Sequence, residues 1–393
     1  MSNLIKLKIN GEEIEVEKGT LLIEAAKKMG VEVPHFCYHP KLKPDANCRM
    51  CLVEIEKMPK LQTSCSTPAT EGMVVWTGSP KVKDAQAGVM EFILGNHPLD
   101  CPVCDQGGEC HLQDLAHQHA PTQSRFVEEK RVFDKEYFGP LIEKQMNRCI
   151  VCLRCVRYCD EVIDSNALGQ VDRGSATQIG GFAHHELDCE FCGGCVQICP
   201  VGALTSRLAL YDYRPWQLKK TETVCNYCAD GCGMVLEAVN GKVVRVTSEN
   251  GVGRNEGDLC ARGFFGYGFI NHEGRLTRPV VRQKGKPFQT TWEHAIDKAA
   301  DGLKAIRDQY GPQAIAGAIS ARCSNEEIYL FQKLMRRDLG TPHVDSSARY
   351  GYLNAVAALN EVFGTTRLAR YEDIVQADVL LSFAGEMTET NPI

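Results

Sequence analysis

Several absences narrow this sequence before any motif is read. No run of apolar residues approaches the roughly 18 that a membrane span needs, so no transmembrane helix is predicted. A basic excess is also missing. The 44 Lys and Arg are outnumbered by 50 Asp and Glu, giving a net charge of −6, which argues against a dominant nucleic-acid surface. The opening "MSNLIKLKINGEE" has neither an apolar h-region nor a cleavage site, so export is not indicated. No Gly-rich dinucleotide fingerprint follows a strand, so no nucleotide-binding βαβ unit is expected. Apolar residues are not scarce. At 44% they suffice for ordinary cores, and 393 residues are enough for two or three globular domains.

What the chain does have is 20 cysteines. In a reducing cytoplasm these are poor disulfide candidates and good metal ligands. Nineteen fall into five groups. They are Cys37, Cys48, Cys51 and Cys65; Cys101, Cys104 and Cys110; Cys149, Cys152, Cys155 and Cys159; Cys189, Cys192, Cys195 and Cys199; and Cys225, Cys228, Cys232 and Cys260. Cys323 stands alone.

Groups three and four are the most specific. "CIVCLRCVRYCDE" and "CEFCGGCVQICP" both read C-x2-C-x2-C-x3-C, the pattern of a two-cluster bacterial ferredoxin, in which the last cysteine of each run serves the other cluster. Cys149, Cys152, Cys155 and Cys199 are therefore expected to hold one 4Fe–4S cluster. Cys159, Cys189, Cys192 and Cys195 are expected to hold a second. Group one, C-x10-C-x2-C-x13-C, follows a ferredoxin-like start and reads as a 2Fe–2S site. Group five, C-x2-C-x3-C-x27-C, reads as a further 4Fe–4S site. Zinc held by the same thiolates, as a staple in a non-redox scaffold, is the competing reading for each.

Five four-ligand sites need one ligand more than the grouped cysteines supply, and the shortage lies in "HPLDCPVCDQGGEC". Histidine is the usual substitute, since imidazole binds iron. His97, His111, His117 and His119 are the candidates nearby. His111 adjoins Cys110, and His117 and His119 lie on a polar stretch. Placement favours His97, which ends a predicted helix and is held extended by Pro98.

The chain around these groups reads as α+β and multidomain. "LIKLKIN-GEE-IEVEKG" predicts a hairpin over Asn10-Gly11, and Thr20 is expected to cap a helix ended by Gly30. "CLVEIE" and "MVVWTG" follow as strands, and the ensemble resembles the β-grasp fold of 2Fe–2S ferredoxins. Ser79-Pro80 opens a second helix. Residues 111–145 are polar and signal only helix and linker. "MVLEAVNGKVVRVTSE" is another hairpin. Beyond Pro279, a helix, a buried strand "QAIAGAIS", a Ser-capped helix and a second buried strand "ADVLLSFAG" suggest a parallel α/β domain that is incomplete.

Together these residues resemble the electron-transfer subunit shared by three machines. These are the G subunit of NADH:quinone oxidoreductase (complex I), the α-subunit of NAD-dependent formate dehydrogenase, and the catalytic subunit of NAD(P)-linked iron hydrogenases. The resemblance covers the first 200 or so residues through HxxxCxxCxxxxxC, which strengthens the case for His97. "CNYCADGC" and "LCARG" in residues 218–393 resemble the molybdopterin oxidoreductase family.

The resemblance implies a fixed order of domains. A 2Fe–2S β-grasp domain spans 1–79 and a one-histidine, three-cysteine 4Fe–4S domain spans 80–120. A two-cluster ferredoxin domain covers 140–210, a molybdopterin oxidoreductase-type 4Fe–4S domain 218–275, and a truncated α/β domain of that family 276–393. The implied cofactors are one 2Fe–2S and four 4Fe–4S clusters. The implied partners are a flavin (FMN) and NADH-binding subunit, a small 2Fe–2S subunit, and quinone-reducing or membrane subunits. The implied location is the cytoplasm or the cytoplasmic face of the inner membrane.

Formate dehydrogenases carry a catalytic cysteine or selenocysteine, then histidine, where this chain has Gly351 and Tyr352 in "VDSSARYGYLN". They carry lysine where this chain has Arg262, whose side chain is a candidate electron-path residue. A catalytic molybdenum site is therefore predicted to be absent, and bound molybdopterin is not expected. Glu386 and Thr388 in "LLSFAGEMTETNPI" match a pterin-approaching segment and read here as a packing turn. These departures favour a complex I G subunit of the formate-dehydrogenase-like type, with the formate dehydrogenase α-subunit as the alternative.

Overall fold

The structure is a computed structural model and describes residues 4–182, 187–383 and 385–393. It contains two compact units. The first comprises Met1–Val224, Cys232–Gly268 and Ile393, and the second Cys225–Gly231 and Phe269–Pro392.

The first unit opens with an antiparallel hairpin of β1 (Leu4–Ile9) and β2 (Glu12–Glu17). Its turn holds Asn10 and Gly11 at φ 54° and 92°, the two left-handed residues of a primed turn. Helix α1 (Leu22–Lys28) follows. Thr20 does not cap it. Leu21 is the N-cap residue and offers no side-chain bond. The free N–H groups of Leu22 and Ile23 instead donate to the carbonyls of Thr67 and Ser64, and Thr20 gives its own carbonyl to Ala69. A helix start satisfied by a distant loop needs no hydroxyl beside it. Gly30, at φ 75°, does end the helix.

Strands β3 (Leu52–Ile55), β4 (Gln62–Thr63) and β5 (Val74–Trp76) complete a five-stranded sheet of order β2-β1-β5-β3-β4, in which β5 runs parallel to β1. Inward-facing Leu7, Ile9, Val16, Val53 and Val75 close on Leu22 and Ile23 of α1, and Cys51 and Cys65 sit in the same core. Helix α2 (Pro80–Asn96) starts as expected. Ser79 Oγ accepts from Val82 N–H, and Pro80 occupies the first turn. Helix α3 (His111–His119) buries Leu112 and Leu115.

Next come β6 (Glu136–Phe138), β7 (Ile142–Lys144), α4 (Arg154–Glu161), β8 (Gly169–Val171), β9 (Gln178–Gly180), α5 (Gly194–Ile198) and β10 (Leu204–Ser206). The order β10-β7-β6 makes a small sheet where the sequence showed only a linker. Strands of three residues, "EYF" and "IEK", are too short to display a period. Buried Glu143 and Lys144 of β7 are tolerated because each has a partner, Lys135 at 2.7 Å and Glu136 at 2.6 Å. Strands β11 (Lys219–Val224), β12 (Gly233–Val239) and β13 (Lys242–Thr247) form an antiparallel sheet with Asn240-Gly241 at its second turn. Short helix α6 (Ala261–Phe265) starts at Cys260.

The second unit holds a hairpin of β14 (Val280–Gln283) and β15 (Lys286–Gln289). Helix α7 (Trp292–Tyr310), capped by Thr291, and β16 (Gly317–Ile319) follow. Helix α8 (Asn325–Lys333) carries a Ser324–Glu327 capping box. β17 (Val344–Ser346) pairs parallel with β16. Helices α9 (Ala348–Gly351), α10 (Leu353–Phe363), α11 (Tyr371–Gln376) and α12 (Met387–Thr390) end the unit.

Two expectations are corrected here. "QAIAGAIS" contributes only three residues of strand, half-buried at best. The described residues of "ADVLLSFAG", which leave out Ala384, form no strand. Val379, Leu380, Leu381 and Phe383 are exposed, and the two-stranded sheet pairs β16 with β17 instead. An apolar segment becomes a strand only when a neighbour supplies its ladder bonds.

Leu7 is 1% exposed and Leu4 46%. Leu7→Ala is expected to destabilise the β-grasp core by about 2–5 kcal/mol, and Leu4→Ala by under ~0.5 kcal/mol. Hydrogen exchange of the β1 and β2 amides measures both. Equal protection in the two variants would contradict this core assignment.

Candidate metal centres

Burial and backbone geometry bring the cysteines of four groups together within the first unit. In group one, Cys37, Cys51 and Cys65 are buried and Cys48 is half-buried. Cys37 exchanges bonds with its neighbour: its N–H points at Cys48 Sγ (3.4 Å), and Cys48 N–H points back at Cys37 Sγ (3.5 Å). The thiols of Cys48 and Cys65 both bond to Cys37 Sγ, holding its pKa far below the usual thiol value. Cys65 also bonds to Cys51 and brings its thiol down to about 7. Left-handed residues Ala46 and Arg49 (φ 58° and 59°) fold the loop back on itself.

Groups three and four share one local geometry. Val151, at φ 53°, donates its N–H to Cys149 Sγ at 3.3 Å, and Phe191, at φ 54°, donates to Cys189 Sγ at 3.2 Å. A β-branched residue in the left-handed region is strained, and the strain persists at one place: beside a sulfur. Leu153 and Gly193 are left-handed in turn, and α4 and α5 start there with Cys155 and Cys195 in their first turns. The last cysteine of each run crosses to the other. Cys149, Cys152, Cys155 and Cys199 line one cavity with Met146, Ile150 and Pro200. Cys159 acts electrostatically on Cys189, Cys192 and Cys195. Burial pushes Cys149 and Cys192 up to about 11 and Cys152 to about 12, and raises Cys155 and Cys195 well above the ordinary thiol value.

Group two sits at the end of α2. His97 is the C-cap residue, with φ −71° and ψ 132°. Lys130 Nζ donates to the carbonyls of Leu94 and Gly95 at 2.9 and 2.8 Å, and so satisfies the last turn of the helix. Burial pushes the His97 imidazole down to about 4, so it is neutral near pH 7. Its Nδ1 is buried and makes no hydrogen bond. Cys101 is exposed, Cys104 and Cys110 are buried, and all three lie within electrostatic reach of one another. The loop is held by arginines from elsewhere. Arg148 grips Asp100 Oδ2 through Nε (2.9 Å) and Nη2 (2.7 Å), Arg214 donates to the Cys104 carbonyl (2.7 Å), and Arg245 holds Glu109. Gly107 and Gly108 allow the tight turn: a Cβ would lie 2.6 Å from the Cys101 carbonyl at Gly107 and 2.7 Å from Trp216 at Gly108. His111 packs against Phe36 and His35, and His119 ends α3.

One apolar core joins three of these groups. Phe36, Met50, Met90 and Leu112 enclose Cys37, Cys110 and Cys152, with Cys48, Cys149 and Cys199 packed against them. Cys110 Sγ lies 3.9 Å from the Pro200 carbonyl. At Gly202 a Cβ would stand 2.4 Å from Cys104 Sγ. Sequence reasoning missed Gly202 and the arginines, although Arg148 immediately precedes Cys149 and Gly202 stands three residues past Cys199.

Group five is distributed over both units. Cys232 and Cys260 belong to the first. Asn255 there accepts from Gly233 N–H and donates to the Asp258 carbonyl, which fixes the flanks of both cysteines. Cys225 and Cys228 belong to the second, where Cys228 lies 3.2 Å from Asp230 Oδ2. Arg262 is half-buried in the first turn of α6. Glu386 and Thr388 are exposed at the short α12, open space faces Gly351, and Cys323 is half-buried.

These residues fit iron–sulfur clusters on three observations. Backbone N–H groups point at sulfurs, four cysteines line a common cavity, and a buried neutral imidazole keeps a nitrogen without a partner. Among the described residues, no group of three or more His, Cys, Asp or Glu side chains is closed on the position of a single metal ion. No helix among them is long and apolar enough to cross a membrane.

Comparison with known proteins follows the same order along the chain. Residues 2–80 match a 2Fe-2S iron-sulfur cluster binding domain, and 86–125 match the NADH-ubiquinone oxidoreductase-G iron-sulfur binding region. Residues 139–205 match the ferredoxin-like domain of NADH-quinone oxidoreductase subunit 3. Residues 218–272 match the molybdopterin oxidoreductase Fe4S4 domain, and 275–393 match molybdopterin oxidoreductase.

The chain is 42% identical to the second G subunit of NADH-quinone oxidoreductase from Rhizobium meliloti, over 99% of its own length and 45% of that protein. It is 42% identical to the alpha subunit of NADPH-Fe(3+) oxidoreductase from Geobacter sulfurreducens, over 92% of its length and 42% of that protein. For the G subunit of NADH-quinone oxidoreductase from Rickettsia conorii the figures are 37%, 99% and 57%. The chain thus spans about half the length of the curated relatives it matches. A solved NAD+-reducing [NiFe]-hydrogenase superposes with a TM-score of 0.49 at 29% identity, over 53% of this chain and 90% of that one. Domain by domain and over nearly its whole length, the chain is homologous to the G subunits of NADH-quinone oxidoreductases.

Proposed function

We propose that this chain is the iron–sulfur electron-transfer subunit of an NADH dehydrogenase, taking electrons from a flavin- and NADH-binding partner and delivering them toward a quinone-reducing one. The five modules are those of the sequence, over 1–79, 80–120, 140–210, 218–275 and 276–393. When bound, iron–sulfur clusters supply one-electron transfer at potentials set by ligand type, sulfur hydrogen bonds and burial.

The observation that carries this reading is the shared core. It packs Cys37, Cys110 and Cys152 of three different groups around Phe36 and Met50. A common apolar core makes these sites neighbours and keeps water from between them. The chain's own residues do the rest. The N–H groups of Val151 and Phe191 favour charge on sulfur, the left-handed turns fix the thiol directions, and Arg148 and Arg214 hold the group-two loop. The proposed ligand sets are Cys37, Cys48, Cys51 and Cys65 for 2Fe–2S, and, for 4Fe–4S, His97 with Cys101, Cys104 and Cys110. Three further 4Fe–4S sets are Cys149, Cys152, Cys155 and Cys199; Cys159, Cys189, Cys192 and Cys195; and Cys225, Cys228, Cys232 and Cys260. A small 2Fe–2S subunit and membrane subunits are proposed partners, with attachment to the cytoplasmic face of the inner membrane through them.

A second reading is favoured by one finding. Identity to the alpha subunit of the Geobacter NADPH-Fe(3+) oxidoreductase equals that to the Rhizobium protein. In that reading the same conduit serves an NADPH-linked reductase without a quinone. The purified complex decides: reduction of the chain by NADH with quinone turnover supports the first reading. Reduction by NADPH alone, with ferric acceptors and no quinone turnover, supports the second.

Metal analysis tests the cofactor assignment common to both. The expected content is about 18 irons per chain with negligible zinc. Stoichiometric zinc with little iron would overturn both readings.

Group two gives a local test. His97→Ala and, separately, Gly202→Ala are expected to remove or reshape one 4Fe–4S electron paramagnetic resonance signal while leaving the 2Fe–2S signal. The first deletes a ligand and the second drives a methyl into Cys104 Sγ. Unchanged spectra in His97→Ala would refute its role as a ligand.

A further inference from the structure

Helix α4 carries two arginines besides its cysteines, and both reach the loop of the first cysteine group. Arg157 donates to the carbonyls of Cys37 and, at 2.7 Å, Lys43, and its Nε lies 3.8 Å from the Asp45 carboxylate. It is a clamp with its own counter-charge. Arg154, one turn earlier, is different. It is 8% exposed, its Nη2 donates to the Tyr38 carbonyl at 2.6 Å, and its Nε is buried without a hydrogen bond. Among the described residues it makes no ion pair with a carboxylate.

A guanidinium does not shed its proton to escape burial, so it needs a negative partner. Arg154 stands between Cys152 and Cys155 in the chain, its partner carbonyl Tyr38 adjoins Cys37, and the sulfurs of Cys152, Cys48, Cys199 and Cys37 belong to one apolar core. Two belong to the first cysteine group and two to the third and fourth runs, which share one cavity. The cation therefore stands between two thiolate sets that the sequence separates by about a hundred residues.

We propose that Arg154 is a fixed positive charge shared by the 2Fe–2S site of the first group and the 4Fe–4S site of Cys149, Cys152, Cys155 and Cys199, raising the reduction potentials of both and tying them electrostatically. The proposal rests on the iron–sulfur reading above. Each reduction adds one electron to a site facing the guanidinium, and in a dry core that attraction is weakly screened. A cation shared by two sites favours the reduced form of either. It shifts both potentials in the same direction without touching the metal. Arg154 is a positioning and tuning residue, not a ligand.

The test is a redox titration, followed by electron paramagnetic resonance, of the full chain carrying its clusters. It compares wild type, Arg154→Gln and Arg154→Lys, with iron measured in each sample. In Arg154→Gln the 2Fe–2S midpoint and one 4Fe–4S midpoint are expected to fall together while the other signals hold. Arg154→Lys, which keeps the charge, returns both toward wild type. An iron-loaded Arg154→Gln with either midpoint unmoved overturns the proposal, as does Arg154→Lys displaced as far as Arg154→Gln. Should Arg154→Gln lose iron at these two sites, Arg154→Lys decides. Retained iron supports the need for charge, and lost iron assigns the role to shape. A wild type that binds no iron fails the functional reading itself, which separates the two failures.

Discussion

A thiol taken out of water resists ionisation, yet only a thiolate binds iron. Most of this chain's fold answers that conflict. Burial raises Cys149, Cys152, Cys155, Cys192 and Cys195 well above the ordinary thiol range, so the metal-free protein favours neutral sulfurs. Three devices oppose the penalty. Peptide N–H groups turn toward sulfur at Val151 and Phe191, at the cost of left-handed backbone. Thiols share bonds, as Cys37 does with Cys48 and Cys65. A buried guanidinium lies among the sulfurs. Shared bonds overcome the penalty at Cys37 and Cys51, but the thiols of the paired runs stay raised, so metal binding and folding must be coupled there.

Helix α4 is where the devices meet. It spans only Arg154–Glu161 but presents Cys155 to one sulfur set and Cys159 to the other. Its arginines reach back to the carbonyls of Tyr38 and Cys37. Tyr158 hydrogen-bonds Asp258 Oδ1 at 2.7 Å, an oxygen that Lys41 also binds at 2.6 Å. Asp258 lies two residues before Cys260. Two turns of helix thus tie the first group, the paired ferredoxin runs and the flank of the fifth group. The tie has a steric condition: a Cβ at Gly194 would lie 2.0 Å from the Tyr158 ring, so α5 approaches α4 only through glycine. Leu153 and Arg154 stand at the matching positions of the other run. The doubled sequence pattern is symmetric in its cysteines and asymmetric where one helix must admit the other.

What was legible in the sequence was local. Asn10-Gly11 and Asn240-Gly241 name their turns because only certain residues take those angles, and Ser79 and Ser324 name helix starts because the hydroxyl acts within three residues. The cysteine runs were legible for the same reason. Thr20 misled because the first turn of α1 is satisfied by Ser64 and Thr67, some forty residues on. "ADVLLSFAG" misled because strand formation depends on a neighbour that no single segment encodes. Arg148, Arg154 and Arg214 look like surface charges in the sequence, and only the fold turns them inward.

The one non-cysteine position in the proposed ligand sets has an electrostatic reason. The group-two loop already gathers Asp100, Asp105 and Glu109 around three thiols. Burial raises the Asp105 carboxyl above its usual range, and Arg148, Arg214 and Arg245 set positive charge against the cluster. A fourth thiolate would add another negative charge to that crowd. A neutral imidazole adds none, and burial keeps His97 neutral across the physiological range. Its place at the end of α2 supplies rigidity, because Lys130 ties down the last carbonyls of the helix and Pro98 fixes the exit of the chain. Charge favours a histidine over a fourth cysteine in the proposed set, and the helix end favours His97 among the histidines nearby.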